Sequence, residues 1–447
     1  MVSLKKLAIR GTVWTIAAYG ASQLLRLGSN VILTRLLFPE LFGLIALVNV
    51  FITGLHLFSD IGVGSSIIQN KRGDDPAFLN TAWTLQIIRA FGLWFCCFLI
   101  AWPVANFYRE PQFLWLTPVV GISTIISGFN STALFTLNRH MALRQLAIFE
   151  LGGQVISFTV VIVWAWFSPS IWALIVGSLV SDLIRLVWSH RLIPGPPNHF
   201  AWDRDAVNAL FSFGGWIFVS TAITFLAEQI DRLILGKLLS FEMLGVYGIA
   251  FTLSDMPRQI TLALSSKVIF PAVSKLAELP RETVRAKILK NRKPILITLA
   301  FGLSVLVSFG DILILVLYDK RYIQATWMLP LLALGIWPRM LCNTIEPSLF
   351  AIGKLQYPAL AQLLRFIFTL IGLLLGFFLM GIVGAVIAVA LNDFCYYGAI
   401  NYGLWREGLS GLMQDIKATA LLMALLTIVL TVRFVLGFGF PINGLIQ

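Results

Sequence analysis

Eight basic residues stand inside stretches that are otherwise apolar: Arg26, Arg89, Arg185, Arg232, Arg258, Lys267, Arg339 and Arg365. At the centre of a bilayer an Arg or Lys costs about 2.5–3.5 kcal/mol even on a lenient insertion scale. Eight facing lipid would cost about 20–28 kcal/mol, beyond the ~5–15 kcal/mol that keeps a typical domain folded. Most must therefore face an aqueous cavity, a carboxylate, or the headgroup level by snorkelling. Asp182 precedes Arg185 by three residues, Asp255 precedes Arg258 by three, and Glu228 precedes Arg232 by four, all same-face helix spacings. Lys267 lies near the end of its apolar run. Arg26, Arg89, Arg339 and Arg365 have no same-helix partner, and Arg89 and Arg365 fall near mid-membrane. The chemistry this suggests is the binding of an anionic group, with Arg26, Arg89, Arg232, Arg258, Arg339 and Arg365 as the binding candidates. Asp60, Glu228, Asp231 and Asp255 are candidates for a coupling Na⁺ or H⁺ or for counter-ions, as are Glu346 and Asp393.

Two polar stripes support a lined cavity. Tyr19, Gln23, Arg26 and Asn30 recur at helical steps, and so do Asn49, Thr53, His56 and Asp60. The competing explanation is interhelical hydrogen bonding that holds a bundle together. Pro330, Pro338 and Pro347 point to one broken helix, with a static kink as the open alternative, and Pro257 beside Arg258 permits a second bend.

The elements that position these residues follow from composition. The 447 residues are 58% hydrophobic and 12% charged, with a formal net charge of +12 and a mean hydropathy of +0.87. A soluble enzyme, a secreted disulfide scaffold and a disordered chain are excluded. Apolar runs long enough to cross a bilayer fall near 11–37, 41–67, 80–106, 112–137, 146–167 and 171–190. Others fall near 207–239, 243–270, 294–317, 326–351, 357–379, 382–403 and 418–436. This predicts an all-α polytopic membrane protein of about 12–14 transmembrane helices, thirteen as counted, its first span uncleaved. The expected divisions are a six-helix lobe over 1–193, a cytoplasmic linker over 194–206, a second six-helix lobe over 207–404, and an amphipathic segment with one more helix over 405–447. With the N-terminus inside, inner segments hold nineteen Lys and Arg, Arg292 among them, and outer segments six, Arg433 among them. The run from Lys275 to Lys293 is expected at the inner face, as a topology anchor or a binding site. The charge bias places the N-terminus on the cytoplasmic side.

An internal repeat at an offset of 202 places Trp14 on Trp216, Arg35 on Lys237, Glu40 on Glu242 and Gly43 on Gly245 without a gap. Chance matching of apolar sequence is the alternative. The repeat predicts two lobes related by a pseudo-two-fold along the membrane normal. It also sets Arg26 on Glu228 and His56 on Arg258, from which we expect Arg26 and Glu228 to approach in one conformer.

Gly11 to Trp14, Leu33 to Leu44, Asp60 to Gly64, and Leu79 to Trp83 resemble the corresponding segments of Wzx-type polysaccharide flippases. Asp231 to Lys237, Leu244 to Tyr247, and Phe270 to Ala272 resemble that family's second half. The resemblance covers about residues 5–410 and implies the multidrug/oligosaccharidyl-lipid/polysaccharide exporter superfamily. It implies two lobes in a V around a central cationic cavity, and transport of undecaprenyl-pyrophosphate-linked oligosaccharide from inner to outer leaflet. An Arg fork suits pyrophosphate oxygens. A glycan polymerase and chain-length machinery are the implied protein partners. Family members commonly have twelve or fourteen spans, whereas thirteen are counted here.

Two alternatives stay open: a multidrug or cation antiporter of the same superfamily, whose cavity should be acidic, and a membrane glycan polymerase or ligase. Little supports catalysis. There is no His-Cys metal spacing, no Walker motif, and no third glycine or strand after Asp60-Ile61-Gly62-Val63-Gly64. No catalytic residue, resident metal, cofactor or nucleic-acid partner is expected. Asn130-Ser131-Thr132 matches a glycosylation sequon but lies within a span, so it is set aside.

Overall fold

Proline, glycine and buried charge set the helix boundaries in this computed structural model, which describes residues 4–59, 62–140, 142–192, 198–276 and 279–441, with the side chains of 4–17, 209 and 211–221 outside that description. Among the described residues every regular element is helical. The first half carries α1 (Leu4–Leu36), α2 (Pro39–Phe58), α3 (Val63–Gln69), α4 (Pro76–Tyr108), α5 (Phe113–Gly128), α6 (Ala133–Arg139), α7 (Leu143–Phe167) and α8 (Ile171–Ser189). Then come α9 (Arg204–Leu238), α10 (Phe241–Leu264), α11 (Phe270–Ser274) and α12 (Arg281–Leu317). The last are α13 (Ala325–Gly335), α14 (Trp337–Asn343), α15 (Pro347–Ala351), α16 (Gln356–Arg406) and α17 (Leu412–Val435). Among the described residues eight helical segments are long and apolar enough to cross a membrane, or up to nine if α5 and α6, bent by 58°, form one span. The protein is a multi-pass membrane protein.

The chain forms two compact units, Met1–Phe225 and Leu226–Gln447. Their boundary falls inside α9, beyond the 194–206 segment expected as a linker. Pro194, Gly195, Pro196 and Pro197 lie outside the described residues. The part that is described, 198–203, is hydrogen-bonded onto the first unit. Asn198 Oδ1 accepts from Ser131 Oγ at 2.8 Å, and its Nδ2 donates to Thr132 Oγ1 at 2.9 Å. Ala201 N donates to Thr84 Oγ1 and Asp203 N to Thr81 Oγ1, each at 3.1 Å. Arg72 Nη2 donates to Asp203 at 2.6 Å and to Asp75 at 2.7 Å, and these bonds hold both half-buried carboxyls below the usual carboxylate range. Ala206 and Leu210 of α9 then bury against Ile67, Phe78 and Ala82.

Several expected spans are interrupted. The chain breaks between α2 and α3, where Gly62 adopts φ 71°, a left-handed conformation that glycine takes without strain. It breaks again between α5 and α6. The segment with three prolines divides into α13, α14 and α15, with Pro338 and Pro347 at helix starts. Pro257, by contrast, leaves α10 continuous. The irregularity comes later, as a π-helical turn over Ser265–Ile269 ahead of Pro271, whose ring nitrogen has no proton to donate.

The 51 residues of α16 are a hairpin. Met380 and Gly381 leave helical geometry, with Gly381 at φ 59°. The two arms pack antiparallel, Gly376 against Gly384, Gly372 against Ala388, and Tyr357 against Gly403. This turn falls between the segments 357–379 and 382–403 expected from hydropathy.

Helix α17 runs parallel to α12 and is pinned to it at two levels. Arg292 lies 2.5 Å from Asp415, and Arg433 lies 2.5 Å from Asp311. At 1.5 Å per residue these levels are about 28 Å apart, close to the thickness of a bilayer's hydrocarbon core.

Candidate functional site

In the first unit the two broken spans surround Arg89. A cavity of about 420 Å³ is lined by His56 and Gly62–Ser65 at the α2/α3 break, by Ser127, Gly128, Asn130 and Ser131 at the α5/α6 break, and by Gln86 and Arg89 of α4. Arg89 is oriented by its neighbours: Nε donates to Ser59 Oγ at 2.8 Å and Nη2 to the His56 carbonyl at 2.5 Å. Gln86 Nε2 donates to the carbonyls of Ser127 and Gly128, which lose helical partners at the break. Asn130 Oδ1 is buried with no hydrogen-bond partner, leaving an acceptor at the cavity wall. Irregular backbone at membrane depth is tolerated where it lines such a cavity. The arrangement offers a held guanidinium beside amide and hydroxyl groups, suited to an anion carrying hydroxyls.

Gln86, Asn130 and Ser131 are missing from the sequence candidates. Their signal was available in the Asn130-Ser131-Thr132 run set aside as a meaningless sequon, which is the corner between α5 and α6. Arg26 is exposed on α1, where Gln23 Nε2 donates to Tyr19 Oη at 2.8 Å. Asn49 and Thr53 are exposed and His56 is half-buried, while Asp60 lies outside the described residues. Arg185 does not pair with Asp182. It reaches both oxygens of Glu150 on α7 at 2.9 Å, because the tight α7/α8 packing at Gly153 brings that carboxylate within its fork.

The second unit gathers most of the remaining candidates. Arg258 pairs with Asp255, as the three-residue spacing predicts, and Gln259 Nε2 donates to the same carboxylate at 2.8 Å. Glu228 lies 3.8 Å from Arg258. Arg232 instead reaches Gln229 Oε1 at 3.2 Å and stands 5.5 Å from the Phe251 ring. Asp231 accepts from Tyr247 Oη at 2.7 Å. Arg339, on short helix α14, lies 3.5 Å from the centre of the Tyr396 ring, and Tyr396 Oη donates to Glu346 at 2.5 Å. Its Nε and Nη1 are buried without hydrogen-bond partners. Arg365 has a partner that single-helix spacing missed: its Nε is 2.9 Å from Asp393 Oδ1 on the other arm of α16, close enough for an ion pair although not aligned as a hydrogen bond.

Five carboxylates, Glu228, Asp231, Asp255, Glu346 and Asp393, therefore stand among Arg232, Arg258, Arg339 and Arg365 in this unit. In this set the carboxylates outnumber the arginines by one, where a cationic excess was expected. Arg292 and Arg433, counted with the loops in the sequence, belong to buried ion pairs.

A family model described as a polysaccharide biosynthesis protein matches residues 32–326. The succinoglycan biosynthesis transport protein ExoT of Rhizobium meliloti is 23% identical over 354 residues, 78% of this chain and 70% of that protein. The lipopolysaccharide biosynthesis protein WzxC of Escherichia coli is 24% identical over 280 residues, 62% of this chain but only 56% of its own length. The teichuronic acid biosynthesis protein TuaB of Bacillus subtilis is 23% identical over 298 residues, 66% of this chain and 61% of that protein. An inward-facing multidrug resistance transporter of the MATE family, in the MOP superfamily, superposes with a TM-score of 0.68 at 13% identity, covering 86% of this chain and 94% of that one. The lipid II flippase MurJ, in an inward closed conformation, gives 0.65 at 12% identity, covering 94% and 98%. At these identities the structural likeness is one of fold.

Proposed function

This chain belongs to the polysaccharide biosynthesis protein family, and from that premise we propose that it is a flippase for lipid-linked oligosaccharides. It moves undecaprenyl-pyrophosphate-linked glycan units from the cytoplasmic to the periplasmic leaflet of a bacterial inner membrane by alternating access, its N-terminus cytoplasmic. It is a transporter, without a catalytic step. The observation that carries this reading is the first-unit cavity, where Arg89 is held between two helix breaks beside Asn130 and Gln86. About 420 Å³ lies within the range of small-molecule sites, enough for the phosphates and part of the sugar while the lipid tail stays in the bilayer.

The two units divide the work on this reading. The first receives the anionic headgroup through Arg89, with Arg26 exposed on α1. The second, with carboxylates matched to arginines, holds the groups for a coupling Na⁺ or H⁺, chiefly Glu228, Asp231 and Asp255. Arg232, Arg258, Arg339 and Arg365 then organise those carboxylates rather than contact substrate. Thirteen spans result when the α16 hairpin counts twice and each broken helix once. The two-lobe repeat is supported by the pattern of neighbours. In the first unit α4 packs on α5, α5 on α8 and α2 on α5, and in the second α12 packs on α13, α13 on α16 and α10 on α13. A glycan polymerase and its chain-length machinery would take the product.

The test is deletion in a bacterium that makes the corresponding surface polysaccharide, followed by measuring the leaflet distribution of lipid-linked repeat units. Accumulation on the cytoplasmic side, restored by the wild-type chain and not by Arg89→Ala at equal membrane abundance, is expected. Losing a charge-assisted phosphate contact of about 1.5–3 kcal/mol should lower transport roughly ten- to hundredfold. Drug sensitivity without accumulation favours the antiporter, and exported but unpolymerised units favour the polymerase.

A further inference from the structure

Beside the inner seam of α12 and α17 lies a groove of about 450 Å³ that the transport cycle does not use. We propose that it holds an anionic glycerophospholipid of phosphatidylglycerol or cardiolipin chemistry, with the phosphate between Lys293 and Lys417.

The register of the two parallel helices sets the depth of each group. Arg292 and Asp415 meet inside the seam at 2.5 Å, at one end of the ~28 Å interval between the two ion-pair levels. Lys293 is the next residue on α12, and Lys417 lies two beyond Asp415 on α17. Both lysines are exposed and line the groove. Among the described residues no carboxylate is recorded within ion-pair distance of either. Asp415, the acid beside them, is already committed to Arg292. One turn deeper the walls become apolar, with Leu296 and Ile297 on α12 and Leu421 on α17. A cationic pair at headgroup level above an apolar trough matches the head and upper chains of a phospholipid. A soluble anion would leave that trough unfilled.

The groove is also built rather than incidental. Gln414 lies in its wall, and its Nε2 donates to the Leu289 carbonyl at 2.8 Å, which fixes the side chain. Its Oε1 is buried with no partner. Selectivity for a net-anionic headgroup over a zwitterionic choline one comes from the two exposed lysines. Arg285 Nε donates to the Ser410 carbonyl at 2.7 Å and closes the same end of the seam. The site is independent of the transport reading, since neither lysine belongs to the cavities described above.

The full-length protein in detergent, titrated with phosphatidylglycerol or phosphatidylcholine and read by native mass spectrometry, tests the proposal. The wild type should retain phosphatidylglycerol in preference to phosphatidylcholine. Lys293→Gln with Lys417→Gln should weaken phosphatidylglycerol binding about thirtyfold, the factor expected from two lysines at an anionic headgroup. Lys293→Arg with Lys417→Arg keeps the charge and should keep the lipid. Ile297→Trp, which fills the groove and leaves both lysines in place, should also lose it, so the proposal remains testable if the double glutamine variant fails to fold. Equal retention of phosphatidylcholine by the wild type overturns the proposal, as does undiminished phosphatidylglycerol binding by the Ile297→Trp variant. Displacement of phosphatidylglycerol by an equal amount of undecaprenyl phosphate overturns it too, because the occupant would then be the polyprenyl carrier.

Discussion

Arg365 and Asp393 illustrate how a buried charge in this protein becomes tolerable. Each is nearly excluded from solvent, with side-chain exposures of 8% and 5%, so neither can be ionised alone without a large desolvation cost. Removing one partner strands the other, a loss of about 3–5 kcal/mol in comparable pairs. Arg365→Gln and Asp393→Asn should therefore each lower the unfolding temperature of the purified protein, and the combined variant should recover most of the loss. A combined variant no better than the worse single one would show that the two do not act as a unit. The sequence revealed the Asp255–Arg258 pair because three residues bring side chains together on any helix. It concealed Arg365–Asp393, which meet only because the chain reverses at Gly381, and likewise Arg292–Asp415 and Arg433–Asp311, which join separate helices. It also misassigned Glu228 to Arg232, since a same-face spacing permits a pair but does not compel one when Arg258 competes for the carboxylate. Polar residues at helix corners were the other blind spot. Asn130 and Ser131 look like any polar residues within a span until the α5/α6 bend turns them into a wall.

The α16 hairpin depends on what its arms lack. A Cβ on Gly384 would run into the Gly376 carbonyl, and one on Gly376 into the Gly384 carbonyl, so the backbones approach as only glycines permit. Gly398, on the second arm, has open space where a side chain would go. Gly384→Leu should thus force the arms apart, at the few kcal/mol typical of overpacking or more, and should sharply reduce the yield of monodisperse protein in detergent. Gly398→Leu, with the same added volume, should leave that yield near wild type. Similar losses in both would mean that helix propensity or insertion decides the outcome, and the close approach does not. The two halves of this hairpin were legible because an unbroken apolar stretch more than twice the ~20 residues of one crossing must turn back on itself. The break at Gly62 was less so, since a glycine inside an apolar run is common and only its positive φ marks the corner. Three prolines did announce the division of α13, α14 and α15. At Pro257 the chain keeps a single helix, because a proline inside a packed helix need forgo only one hydrogen bond.

At the scale of the whole molecule, α12 and α17 taken together carry a prediction of sidedness. Both pass through a charged level, Arg292 with Asp415, and reach a second one, Asp311 with Arg433, after about 28 Å. Two buried ion pairs at that spacing fit the two edges of a bilayer, where charge is cheapest to keep. Before the first level lie Arg281, Arg285, Lys287 and Lys290, a density of basic charge that belongs on the cytoplasmic side. Beyond the second level, the short turn at Lys320 and Arg321 carries Asp319 bonded to Arg321 at 2.7 Å, which offsets part of its positive charge. The asymmetry predicts that Thr283 faces the cytoplasm and Lys320 the periplasm. In a background with Cys96, Cys97, Cys342 and Cys395 replaced by alanine, Lys320→Cys should react with a membrane-impermeant maleimide applied to cells with a permeabilised outer membrane. Thr283→Cys should react only after the inner membrane is opened. The reverse pattern would invert α12 and α17, and the proposed lysine groove and the proposed direction of transport would be reassigned to the opposite leaflet.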